Sequence, residues 1–141
     1  MIRFALVFLA LAMFFVELGC TRSGPQIVAI EGTVTHDGAP LSDLMIYFQP
    51  ASGRPSWAIS DKNGHFVLDY DPDYDGAVVG NHTVWVLENP NASDPLLTSG
   101  KPKQKRSPEM KAVLDKYGSA ENSPYKVEIK KADRNFQLKL D

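Results

Sequence analysis

The chain has 141 residues, a formal net charge of −2 and 23% charged side chains. Length alone indicates one domain of ordinary size behind a short leader. The near-balanced charge excludes the global basic field of a nucleic-acid binder, and a single cysteine excludes an internal disulfide framework.

The leader comes first. Arg3 precedes an unbroken apolar run at residues 4–16 (FALVFLALAMFFV), closed by Glu17-Leu18-Gly19-Cys20. A basic start, an apolar stretch of about 13 residues and a small residue at the cleavage point are the marks of an export signal. The run is short of the roughly 20 residues a spanning helix needs. Gly19-Cys20 resembles a bacterial lipobox, in which a small residue precedes a lipid-modified cysteine. The resemblance implies that Cys20 becomes the mature N-terminus and carries acyl chains, and that the membrane is a partner. Two or three chains hold a protein on a bilayer where one does not. Thr21 stands where an inner-membrane retention signal has Asp, which favours the outer membrane. Residues 1–19 thus read as signal peptide, and residues 20–26 as lipidated cysteine and polar tether.

Residues 27–141 read as one β domain. Val28, Ile30 and Val34 share a face with Gly32 at period 2, and His36-Asp37-Gly38-Ala39-Pro40 is a turn built on Asp-Gly. Leu44, Ile46 and Phe48 alternate with Met45, Tyr47 and Gln49 until Pro50. A short strand spans 57–60, and Asp61-Lys62-Asn63-Gly64 turns into a strand with Phe66 and Leu68 inward. Residues 70–76 are turn-rich. Residues 82–87 form a strong strand, with Val84 and Val86 on one face and Thr83, Trp85 and Leu87 on the other.

The alternation then breaks across an insertion at about 88–124. It carries Pro90, Pro95, Pro102 and Pro108 and the basic run 101–106, a solvated loop or a contact for anionic headgroups and acidic glycans. Ser107-Pro108 reads as an N-cap with proline at the first helical position, ahead of Met110, Val113, Leu114 and Tyr117 at helical spacing and Gly118 as the stop. Strands follow around Val127 and Ile129, and around Phe136, Leu138 and Leu140. About seven short strands with spaced glycine turns and one helix predict an all-β antiparallel sandwich.

Taken in order, these segments resemble the transthyretin-like and carboxypeptidase-regulatory-like domains of small bacterial lipoproteins of the planctomycete type. The resemblance rests on V-T-H-D-G-A-P-L at residues 34–41, I-Y-F-Q-P at 46–50, S-D-K-N-G-H-F at 60–66, the Asp75-Gly76-Ala77 element through Gly80 to Val86, and the closing Val127-Glu128-Ile129 and Asn135-Phe136. It implies a prealbumin-like sandwich and no activity.

Four sets of residues invite chemistry. Asp71, Asp73 and Asp75, with Gly76, match the first half of a calcium loop, although His82 stands at its twelfth position in place of the bidentate Glu. Trp57 and Trp85, with Tyr47, are the candidates for a ligand-binding aromatic surface. His36, His65 and His82 lack metal-ligand spacing to one another and read as structural or exposed. Ser56, Ser60 and Ser93 lack a nucleophile elbow, and no glycine-rich phosphate loop exists, so no enzyme and no cofactor is expected. The expected function is a non-catalytic, envelope-anchored lipoprotein whose β-sandwich is an interaction or structural module, meeting an envelope protein or glycan. The alternative is a carbohydrate- or calcium-binding module on the membrane surface.

Overall fold

The computed structural model describes residues 24–93 and 107–141. The signal segment, Cys20 and the basic run 101–106 lie outside the described residues. Strands dominate. β1 (Ile27–Val28), β2 (Ile30–His36), β3 (Ala39–Pro40), β4 (Leu44–Pro50), β5 (Ser56–Ile59) and β6 (His65–Val67) come first. β7 (Asp69–Asp71), β8 (Tyr74–Asp75), β9 (Ala77–Val78) and β10 (Gly80–Glu88) follow, and after a single 3-10 turn and the helix α1 (Pro108–Tyr117) come β11 (Lys126–Ile129) and β12 (Asp133–Lys139).

The turns form where local chemistry demands them. Asp37 and Gly38 both take positive φ, 48° and 78°, and close the two-residue β2–β3 hairpin in which His36 pairs with Ala39. At the next turn the Asp61 carboxylate accepts from the backbone N–H of Asn63 and His65 at 2.8 and 2.9 Å. These two hydrogen bonds hold its carboxyl below the usual carboxylate range. Helix α1 starts as its sequence dictates: the Ser107 hydroxyl accepts from the Met110 N–H at 3.1 Å, with Pro108 inside the first turn.

Two sheets enclose one core. The larger has the order β11-β10-β4-β5-β7-β8. The smaller is built on β2, with β12 on one edge and β3 and β6 on the other; β1 and β9 pair separately. Leu44, Ile46, Phe48, Val84 and Val86 of the large sheet meet Ile30, Val34, Phe66 and Leu138 of the small one, all at most 1% exposed. Phe48 joins the layers. Its ring stands 6.5 Å from that of Phe66 and 5.7 Å, edge-on, from that of Phe136. Val113 and Tyr117 of α1 enter the same core, so the second half of the insertion is part of the packed domain. Ser123, 3% exposed, donates to the Val84 carbonyl and ties the chain after α1 to β10.

One pairing departs from the antiparallel expectation. β12 runs parallel to β2, with Phe136 opposite Gly32 and Leu138 opposite Val34. Parallel neighbours need a long crossover, and here nearly the whole domain lies between the two strands. Period-2 alternation specifies which face a residue takes and is silent on strand direction, which is why the sequence leaves this open.

Candidate functional site

The outer face of the large sheet is set by the same alternation that buries its inner face. Leu44, Ile46 and Phe48 point inward, so Met45, Tyr47 and Gln49 point out. Val84 and Val86 point inward, so Thr83, Trp85 and Leu87 point out. Strand register then brings together residues distant in sequence. Trp85 lies opposite Tyr47, Tyr47 opposite Trp57, and Trp57 opposite Asp69. One row across four strands therefore reads Trp85, Tyr47, Trp57, Asp69. The neighbouring row reads Leu87, Met45, Ile59.

Within the first row the rings of Tyr47 and Trp85 stack, with centroids 4.1 Å apart and planes 7° from parallel. Such a pair contributes roughly 0.5–1.5 kcal/mol beyond its area, and it leaves each ring one face free of the other. All three aromatics are half-buried. In the next row Leu87 and Ile59 stand 39% and 40% exposed. Polar groups rim the patch: the Lys126 ammonium donates to the Thr83 hydroxyl at 2.7 Å, and Gln49 donates to the Pro50 and Gly53 carbonyls. Two polar atoms in the row, Trp85 Nε1 and Asp69 Oδ1, are buried with no hydrogen-bond partner among the described residues. A donor and an acceptor left so cost about 1–3 kcal/mol each.

The remaining candidates distribute as follows. Asp71, Asp73 and Asp75 lie on the β7–β8 hairpin, where Asp71 pairs with Tyr74 and Asp69 with Asp75. The Asp71 carboxylate accepts from the Asp73 N–H at 3.0 Å, an ordinary turn contact. A calcium loop wraps its oxygens around a centre. Asp71 and Asp75 stand on the two strands and Asp73 in the turn between them, and among the described residues the three are not one group of converging ligand atoms. Among the described residues one such group exists: His36, Asp37 and Asp141, whose ligand atoms lie within 4.8 Å of one another. Spacing within the sequence could not reveal it, because Asp141 is brought to the β2–β3 turn by the parallel β2–β12 pairing.

His65 pairs with Glu31 at 3.0 Å across β6 and β2. His82 is 2% exposed. Its Nδ1 meets the Gly80 carbonyl at 3.0 Å, its ring lies 6.1 Å from that of Phe48, and its Nε2 has no partner among the described residues. Burial pushes its pKa below the ordinary 6.5. Ser56 and Ser60 are buried at 1% and 2%, and the Ser60 hydroxyl accepts from the Leu44 N–H at 3.0 Å. Among the described residues no helix is long and apolar enough to cross a membrane.

Comparison of the chain with protein-family models, curated proteins and solved structures found no match.

Proposed function

We propose that this chain is a non-catalytic interaction module of the bacterial cell envelope, held on the membrane by lipid at Cys20 and built on a prealbumin-like sandwich. Its contact surface is the outer face of the large sheet. One observation carries the reading: three half-buried aromatic side chains from three separate strands, Trp85, Tyr47 and Trp57, form one row on the outward face of the large sheet. Aromatic residues of this kind dominate binding energy at protein surfaces, because they bring large area at small entropic cost. The adjoining Leu87 and Ile59, partly exposed, extend the row with aliphatic surface.

A second reading assigns the same face to a glycan. The stacked Tyr47 and Trp85 rings favour it, since the flat apolar face of a sugar ring packs on an aromatic surface of this kind. Intrinsic fluorescence tests both readings, because Trp57 and Trp85 are the only tryptophans in the chain. Titration with solubilised envelope protein, and separately with purified envelope polysaccharide, is expected to shift the emission in one of the two arms. Unchanged emission in both would overturn the assignment of this face. Fractionation tests the anchor: the parent chain is expected with membranes, and Cys20→Ser in the soluble fraction.

A further inference from the structure

We propose a divalent transition-metal site, of the kind that takes Zn²⁺, at the β2–β3 turn: His36, Asp37 and Asp141. His36 Nδ1 lies 2.6 Å from the Leu140 carbonyl oxygen. A carbonyl oxygen only accepts, so Nδ1 carries the hydrogen, and in the neutral ring Nε2 is a bare lone pair. That lone pair faces the Asp37 carboxylate, 3.7 Å away. Metal-ligating histidines are commonly held this way, with the second ring nitrogen donating to a backbone carbonyl.

The third group is fixed as firmly. The Asp37 N–H donates to the Asp141 carboxylate at 2.8 Å. The Tyr117 hydroxyl donates to the Asp141 main-chain oxygen at 2.6 Å, and the Lys116 ammonium donates to the same oxygen. Helix α1 thus grips the main chain of Asp141 and leaves its carboxylate turned to His36. A nitrogen lone pair and two carboxylates converge within 4.8 Å. A proton on His36 would satisfy one contact among them; a divalent cation satisfies all three. Tetrahedral ligands at 2.0–2.2 Å from zinc lie roughly 3.4 Å apart; His36 Nε2 and the Asp37 carboxylate are 3.7 Å apart, and the full set, within 4.8 Å, closes onto an ion by small side-chain shifts.

The donor set selects the ion. Calcium and magnesium take six or more oxygens, whereas one imidazole with two carboxylates suits zinc and its neighbours. The ring is also largely sheltered, its side chain 16% exposed, so it is held in place before any ion arrives. Beside it opens a cleft of about 360 Å³ between the turn and α1, lined by Leu41, Ser107, Glu109 and Met110 among others. His36 and Asp37 line the same cleft, which gives an ion a route from solvent. The site is independent of the aromatic face.

The test is calorimetric titration of the full-length chain with ZnCl₂ alone, in detergent, in a Cys20→Ser background that removes the one competing thiol. We expect one Zn²⁺ per chain, an affinity at least ~10-fold weaker in Asp141→Asn, and loss of binding in His36→Ala. His65→Ala, which removes a histidine paired to Glu31 alone, should bind as the parent does. Long-range ¹H–¹⁵N spectra give an answer that needs no variant: zinc should move the His36 Nε2 resonance and leave Nδ1 protonated. No binding by the parent, equal binding by His36→Ala, a loss confined to His65→Ala, or a shift at His65 or His82 in place of His36 would each overturn the site.

Discussion

Gly32 lies so close to Phe136 in the parallel β2–β12 pair that a methyl group on it would fall 2.1 Å from the Phe136 carbonyl oxygen. The obstacle is backbone and cannot swing aside. Gly32→Ala must therefore part the two strands that close the small sheet, and it is expected to cost about 2 kcal/mol or more in urea unfolding. Gly24→Ala, which meets nothing within 4 Å, should stay within about 0.5 kcal/mol. Equal midpoints for the two variants would contradict the parallel register.

Phe136 itself is half-buried and stands edge-on to Phe48. Phe136→Ala is expected to cost about 2–3 kcal/mol, less than the full range for a completely buried ring. Lys139, on the exposed face of the same strand, should tolerate alanine within about 0.5 kcal/mol. The comparison of denaturation midpoints checks which face of β12 is inward.

The cap of α1 predicts a smaller effect. Ser107→Ala leaves the Met110 N–H without its partner and should cost ~1 kcal/mol, while Ser107→Asp should keep most of the stability. Because Val113 and Tyr117 tie the helix to the common core, the loss should appear in the single global transition. A separate early transition would mean that the helix unfolds on its own.

His82 sets a pH dependence. Its pKa is lowered in the folded chain because burial disfavours the charged ring. The unfolded chain binds a proton near the ordinary 6.5, and the folded chain resists it until lower pH. Stability from this residue is therefore complete above about pH 6.5 and declines as pH falls below it, down to the folded pKa. Thermal unfolding at pH 7.5, 6.5 and 5.5 should show the decline in the parent and a flatter profile in His82→Gln. The same slope in both would place the titrating group elsewhere.

Local chemistry was legible in the sequence and long-range geometry was not. The Ser107 cap, the Asp37-Gly38 turn and the inward sets of β4 and β10 follow from neighbours a few residues apart, so reading the chain was enough. Alternation also placed Trp85 and Tyr47 on outward faces. Their stacking depends on Trp85 falling opposite Tyr47, and that is a matter of register between strands joined by a long connection. His36 and Asp141 illustrate the same limit more sharply. Each reads as an exposed turn or terminal residue. Only the parallel alignment of β12 with β2 brings the Leu140 carbonyl to the imidazole and the Asp141 carboxylate to the Asp37 amide. The Asp71, Asp73 and Asp75 pattern is local in sequence, and the hairpin that its residues form is a matter of strand pairing that spacing does not specify.

The Trp57, Tyr47 and Trp85 face is proposed to meet a partner in the envelope, and crosslinking tests that contact directly. A photo-crosslinking residue at Ile59, 40% exposed beside the aromatic row, can be compared in native cells with one at Gln137, exposed on the outer face of the small sheet. The aromatic-face position should give a discrete adduct that disappears when Trp57 is changed to Ala, and the position at 137 should give none. Adducts of equal yield from both positions, or none from Ile59, would contradict the assignment of the working surface.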